Sequence, residues 1–162
     1  KPSVIFYQDK TLNTELDTQA LMNEALKILA DSHCSEQRLR LALEKKFTEL
    51  LYVDEAIDAV ILRIKELHLL DDKTLAESIA FRYLSKGNRF IAHKLKEKGI
   101  DENTITTVIE GLEDEYQRAL EAARSKIARS KSPETVANLF RFLSSRGFPF
   151  DVINQVSKEF TR

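Results

Sequence analysis

Apolar residues recur along this chain at steps of three, four and seven, separated by short polar or glycine-bearing breaks. That is the period of helices with one buried face. The pattern also repeats on a larger scale. "LRLALEKKF" (Leu39–Phe47), "IAHKLKEKG" (Ile91–Gly99) and "LFRFLSSRG" (Leu139–Gly147) can be laid over one another. Leu39, Ile91 and Leu139 then coincide, as do Leu43, Leu95 and Leu143, and the cations Lys46, Lys98 and Arg146. Further along, Ile57, Ile105 and Ile153 align, then Val60, Val108 and Val156, then Ile64, Leu112 and Phe160. Self-similarity of this kind marks a repeated helical unit.

The pattern predicts three three-helix units after an N-terminal arm over 1–17 that is extended or mobile. Unit one (18–70) has helices at Thr18–Asp31, Ser35–Lys46 and Asp54–His68. Unit two (71–115) has Asp72–Ser85, Asn88–Lys98 and Asp101–Glu115. Unit three (116–162) has Tyr116–Ser130, Pro133–Ser145 and Pro149–Phe160. Asp54 and Asp101 suit caps for orphan helix N–H groups, and Pro133 suits a first helical position. Gly99 and Gly147 stand where a helix end needs a left-handed residue. Phe47 replaces that glycine in unit one, so its turn must differ. Nothing after Gly111 breaks "GLEDEYQRALEAARSKI", so the last helix of unit two is expected to run into the first of unit three. One such unit buries little surface alone, but stacked neighbours can share a core. The expected fold is all-α, a tandem array that is elongated and curved.

Composition fits that picture. Hydrophobic residues make up 43% and charged residues 31%, a globular rather than disordered balance. Four Gly and three Pro leave little turn chemistry for an all-β fold. A single cysteine, Cys34, can form no internal disulfide, which agrees with a reducing, cytoplasmic setting. No apolar run reaches the ~20 residues a membrane helix needs, and the opening "KPSVIFYQDK" does not read as a signal peptide.

Enzymatic signatures are missing. Three histidines and one cysteine are a thin supply, and no HExxH, CxxC, GxSxG or phosphate-cradling glycine loop occurs. His33 and Cys34 are adjacent, about 100° apart on a helix, which is poor metal geometry. Asp71 and Asp72 read as the start of a helix, their charge complementing its positive end. No cofactor, metal or catalytic residue is expected.

Charge is what remains. The formal net charge is −1, yet it is segregated. Residues 99–117 hold six acids and no Lys or Arg, whereas 118–146 hold seven bases against Glu121 and Glu134. Along Asn88–Lys98, Arg89, His93 and Lys96 form a stripe opposite the core-facing Ile91 and Leu95, flanked by Lys94 and Lys98. Arg82 and Lys86 of the preceding helix can join it. The aligned residues in the other units are Gln37, Leu41 and Glu44, and Ala137, Arg141 and Ser144. The core repeats and the stripe does not, so the fold does not demand the charge. A second cluster joins Arg124, Lys126, Arg129 and Lys131 with Arg141 and Arg146. Such a face is either a solvated exterior or a grip for phosphates or an acidic protein.

"LHLLDDKTLAESIAFRYLSKGNRFIAHKLKEKGID" resembles the signature of the RecX family of bacterial recombination regulators. "SEQRLRLALEKKF" is similar to that family's first-unit motif, and "FLSSRGFPFDVI" to its closing element. The likeness spans about Ala25 to Phe160. It departs at Phe47, where the turn glycine is absent, and at Pro149, where the family usually has a capping Ser. The resemblance implies tandem three-helix units without catalysis. It implies a cytoplasmic, monomeric regulator that lies in the groove of the RecA recombinase filament and blocks ATP hydrolysis and strand exchange, with some affinity for single- or double-stranded DNA. The contact candidates it implies are Arg82, Lys86, Arg89, Lys94, Lys96 and Lys98. A stand-alone helical DNA-binding protein and a helical protein–protein scaffold are the other readings the charge pattern allows.

Overall fold

The computed structural model describes the backbone of residues 2–50, 52–131 and 135–161, with side chains from Glu15 onward. Among the described residues every regular element is an α-helix: α1 (Pro2–Asp31), α2 (Glu36–Lys46), α3 (Val53–Glu66), α4 (Asp72–Arg82), α5 (Asn88–Glu97), α6 (Glu102–Glu110), α7 (Glu115–Arg129), α8 (Val136–Ser145) and α9 (Phe150–Phe160). The chain is all-α, as its periodicity implies.

Two positions of the predicted layout change. The arm over 1–17 is not extended, because α1 begins at Pro2. A segment without an apolar stripe can still prolong a helix nucleated downstream, since propagation is far easier than nucleation. Proline is tolerated at the start because its missing N–H would be an orphan there. The second change is a break between α6 and α7. Gly111 ends α6, and the Glu113 carbonyl accepts a 2.8 Å hydrogen bond from Arg118 Nε, tying the turn back onto α7.

Helix starts and stops follow local chemistry. Ser35, Asp101 and Thr135 accept from the N–H groups of Arg38, Thr104 and Asn138 at 3.2, 2.8 and 3.1 Å. Asp71 caps α4 through Thr74 N–H. Asp72 reaches instead to α2, accepting from Glu36 N–H at 2.9 Å. Asp54 does not cap α3: Tyr52, at φ 58°, stands in the cap position without a side-chain bond. Pro133 lies outside the described residues. At the C-terminal ends, Gly99 (φ 82°) and Gly147 (φ 86°) are left-handed. Ile100 N–H returns to Leu95 O and Phe148 N–H to Leu143 O, closing Schellman turns. Phe47 ends α2 at φ −113°, so the first turn does differ. Leu43 to Leu95 is a step of 52 but Ile57 to Ile105 only 48, leaving four extra residues in that turn.

The chain forms two compact bodies, Lys1–Leu75 and Ala76–Arg162. In the first, Leu21 and Ala25 of α1 pack with Leu39 and Leu43 of α2 and with Ile57, Val60, Ile61 and Ile64 of α3. In the second, Ala119 and Ala123 of α7 pack with Leu139 and Leu143 of α8 and with Ile153 and Val156 of α9. Ile91, Leu95, Ile105 and Val108 of α5 and α6 are also buried. The aligned apolar positions are thus buried in all three copies, apart from the last set. Ile64 is buried, Leu112 lies beyond the end of α6, and Phe160 is exposed at the end of α9.

Candidate partner-binding face

All of the candidate contact cations lie in the second body. Ile91 and Leu95 turn α5 inward with no exposed surface, which leaves Arg89, His93 and Lys96 outward. That stripe is not bare. His93 Nε2 lies 3.0 Å and Lys94 Nζ 3.5 Å from Glu97, and Lys96 Nζ lies 3.5 Å from Glu102. These are solvent-accessible pairs of the kind worth little to stability, but they offset part of the local positive charge. Glu97 follows the stripe on the same helix, and Glu102 opens the next one; the residue-by-residue comparison of repeats did not weigh them. Arg82, Arg89 and Lys98 are exposed, with no ion pair among the described residues.

Lys86 is held differently. It sits in the α4–α5 connection, half-buried, with Nζ 5.0 Å from the centre of the Phe90 ring. Lys94 Nζ lies 5.6 Å from the same ring. Burial and the neighbouring charge of Arg146 both pull the Lys86 pKa below the ordinary lysine value. Arg146 caps α8 and stacks its guanidinium 4.5 Å over Phe142, and Lys126 of α7 lies 5.3 Å from that ring. Arg141 donates to Asn138 Oδ1 at 3.0 Å, and Arg129 donates through Nε to the Ser125 carbonyl. Arg124 is exposed on α7.

Beneath this surface lies Arg118, which is 3% exposed. Its guanidinium donates to the carbonyls of Glu113, Leu84 and Lys86, the last at 2.5 Å, and to Asn88 Oδ1. Glu115 Oε2 accepts from Asn88 N–H at 2.6 Å. Burial lowers the Arg118 pKa, while Glu115, Asp114 and Glu113 oppose that shift; the group stays charged. Arg118 thereby fixes the connection that carries Lys86. An open groove of about 740 Å³ runs here, with Arg118, Glu113, Glu121, Arg129, Phe142 and Arg146 among its walls. A shallower hollow, which also has Phe142 in its wall, is lined by Lys126, Asn138, Arg141 and Ser145, with no carboxylate among the described residues.

The sequence named Lys86 and Arg146 but not the rings that seat them. Phe90 and Phe142 align with Asn138 and Lys94 in the neighbouring repeat, so each is an aromatic at a position the repeat does not reserve for its core. That was the available signal. The role of Arg118 left none, since an arginine among Ala119, Leu120, Ala122 and Ala123 reads as the solvent face of a helix.

Among the described residues no group of three or more His, Cys, Asp or Glu could hold a metal ion. Cys34 is half-buried, and burial raises its thiol pKa. No helix among the described residues is long and apolar enough to cross a membrane.

Comparison with known proteins adds an independent line. A family model described as RecX, third three-helix domain, matches residues 113–156. The regulatory protein RecX of Clostridium botulinum strain Alaska E43 is 32% identical over 158 residues, spanning 85% of this chain and 74% of that protein. This chain belongs to the RecX family. The RecX-named regulatory protein of Clostridium perfringens strain SM101 is 31% identical, covering 86% of this chain and 68% of its own length. Among solved structures, RecX from Lactobacillus salivarius superposes with a TM-score of 0.70 at 22% identity, covering 88% of this chain and 96% of its own. Another RecX regulatory-protein crystal structure gives 0.71 at 19% identity. At those identities the likeness speaks for the RecX fold, and the sequence relatives speak for the family of regulatory proteins.

Proposed function

We propose that this RecX-family chain acts in the cytoplasm, as a monomer, on the RecA recombinase filament. It binds along the filament groove and restrains ATP hydrolysis and strand exchange without chemistry of its own. The observation that carries the reading is the concentration of cations in the second body, on a chain whose relatives are named regulatory proteins. A filament presents the same surface many times, so several weak charged contacts act together through effective concentration. The cations proposed to contact it are Arg82, Lys86, Arg89, His93, Lys94, Lys96 and Lys98, with Arg124, Arg129, Arg141 and Arg146.

The test is the ATPase of recombinase filaments on single-stranded DNA. The chain should depress it, and a variant carrying Arg89→Glu, Lys94→Glu and Lys96→Glu should depress it much less. Equal inhibition by that variant would sink the assignment of α5 to the contact.

A further inference from the structure

A lysine becomes a nucleophile when burial or a neighbouring cation favours its neutral amine and no carboxylate ties it up. Lys46 lies against Glu24, Lys65 against Glu36, Lys94 against Glu97 and Lys96 against Glu102. Lys86 is placed differently. It is half-buried, and the charge it meets is a second cation, Arg146. Among the described residues, no ion pair or side-chain hydrogen bond engages its amine.

Backbone contacts enforce that meeting. Gly87 N–H donates to Arg146 O at 2.9 Å, binding the α4–α5 connection to the end of α8. A Cβ on Gly87 would stand 2.1 Å from Gly147 O, and one on Gly147 would stand 2.8 Å from Phe90 Cβ. Only glycine at both positions allows this approach. The clamp holds the residue before each glycine, Lys86 and Arg146, at one edge, and the buried Arg118 fixes the Lys86 carbonyl. The charged side chains on the elements packed here are Arg146 of α8, Arg118 of α7, Lys94 on the same Phe90 ring, and Glu115, whose carboxylate accepts from Asn88 N–H at 2.6 Å. The Phe90 ring prefers the ammonium but also confines it; burial and the Arg146 charge favour the neutral amine.

Arg146 adds a second capability. Its guanidinium is seated 4.5 Å over the Phe142 ring, with no ion pair among the described residues. A guanidinium can hold two oxygens of one phosphoryl group. The Lys86 amine then stands beside whatever acyl group that phosphoryl carries.

We infer that Lys86 is a site of acylation by acyl phosphates, with Arg146 holding the phosphoryl group while the Lys86 amine attacks the acyl carbon. The ammonium first gives a proton to water. A C–N bond then forms, and the C–O bond to phosphate breaks with its electron pair passing to phosphate. A further amine proton leaves with that group as hydrogen phosphate. The product is an uncharged amide, so the modification removes one cation from this edge. The reaction is independent of the filament reading, and its readout involves no recombinase.

The experiment treats the full chain with acetyl phosphate and follows each lysine by peptide mass spectrometry. Lys86 should be acetylated several-fold faster than the exposed Lys45 and Lys158. Inorganic phosphate should slow Lys86 and leave those two unchanged. Arg146→Gln, checked for folding by circular dichroism, should slow Lys86 several-fold with acetyl phosphate. With an uncharged acetyl ester, which offers no phosphoryl group to hold, the same variant should lose much less. A Lys86 rate no greater than those of Lys45 and Lys158 would overturn the proposal. So would a Lys86 rate that phosphate does not slow. An Arg146→Gln loss of equal size with both donors would overturn it too, since Arg146 would then act on the amine alone.

Discussion

One repeat position carries a cation in every copy, and the two bodies use it differently. In the first body Lys46 Nζ meets Glu24 at 2.8 Å, joining α2 to α1. Two more ion pairs link α2 to α3 there, Arg40 with Asp58 and Lys65 with Glu36, both at 2.7 Å. In the second body the matching Arg146 has no ion pair among the described residues; it lies on Phe142 beside Lys86. The same helical brick thus spends its surface charge internally in one place and outwardly in another. Shared cores fix how the helices pack and leave the charged exterior free to specialise.

That contrast can be broken at several points. The largest effect is expected from Arg118→Ala. It leaves the Leu84, Lys86 and Glu113 carbonyls without their donor and empties a buried site, so a loss of about 3 kcal/mol or more is expected. Thermal unfolding followed by circular dichroism should show it. A shift no larger than that of an exposed Arg124→Ala control would mean that Arg118 is not the keystone of the second body.

Next comes Gly147→Ala. The backbone there is left-handed at φ 86°, and the added methyl would press on Phe90 Cβ. A cost of about 1–2 kcal/mol is expected from the backbone alone. The corresponding residue of the first body, Phe47 at φ −113°, has no such constraint. Equal urea midpoints for wild type and Gly147→Ala would remove the glycine clamp from the account.

The smallest effect concerns what the two bodies share. Asp71 and Asp101 both cap helices, and hydrogen bonds from Thr74 and Thr104 hold their pKa values below the ordinary carboxylate range. A depressed folded-state pKa contributes stability that is complete above the unfolded value, about 3.9. It is lost as pH falls through the folded value. Asp101→Asn should therefore lower stability slightly near neutrality, where the ionised cap contributes fully, and flatten the acid limb of the stability profile below about pH 4. An unaltered acid limb would show that the cap does not titrate in this way.

Much of this molecule is legible along the chain. Apolar residues at helical spacing, met three times over, dictate the helices and the buried positions, because a side chain's face follows from its place in the helical period. Gly99 and Gly147 declare their turns, and Asp101 its cap, since each acts on backbone within a few residues. The family, too, is legible in the ordered motifs. Contacts between distant segments are not. That Arg118 is buried against the α4–α5 connection and that Lys86 lies beside Arg146 depend on helices from different repeats meeting side by side. Sequence spacing sets what one helix presents. Only tertiary packing decides which charges end up as neighbours, because Coulomb interaction and desolvation depend on distance through space and not on distance along the chain.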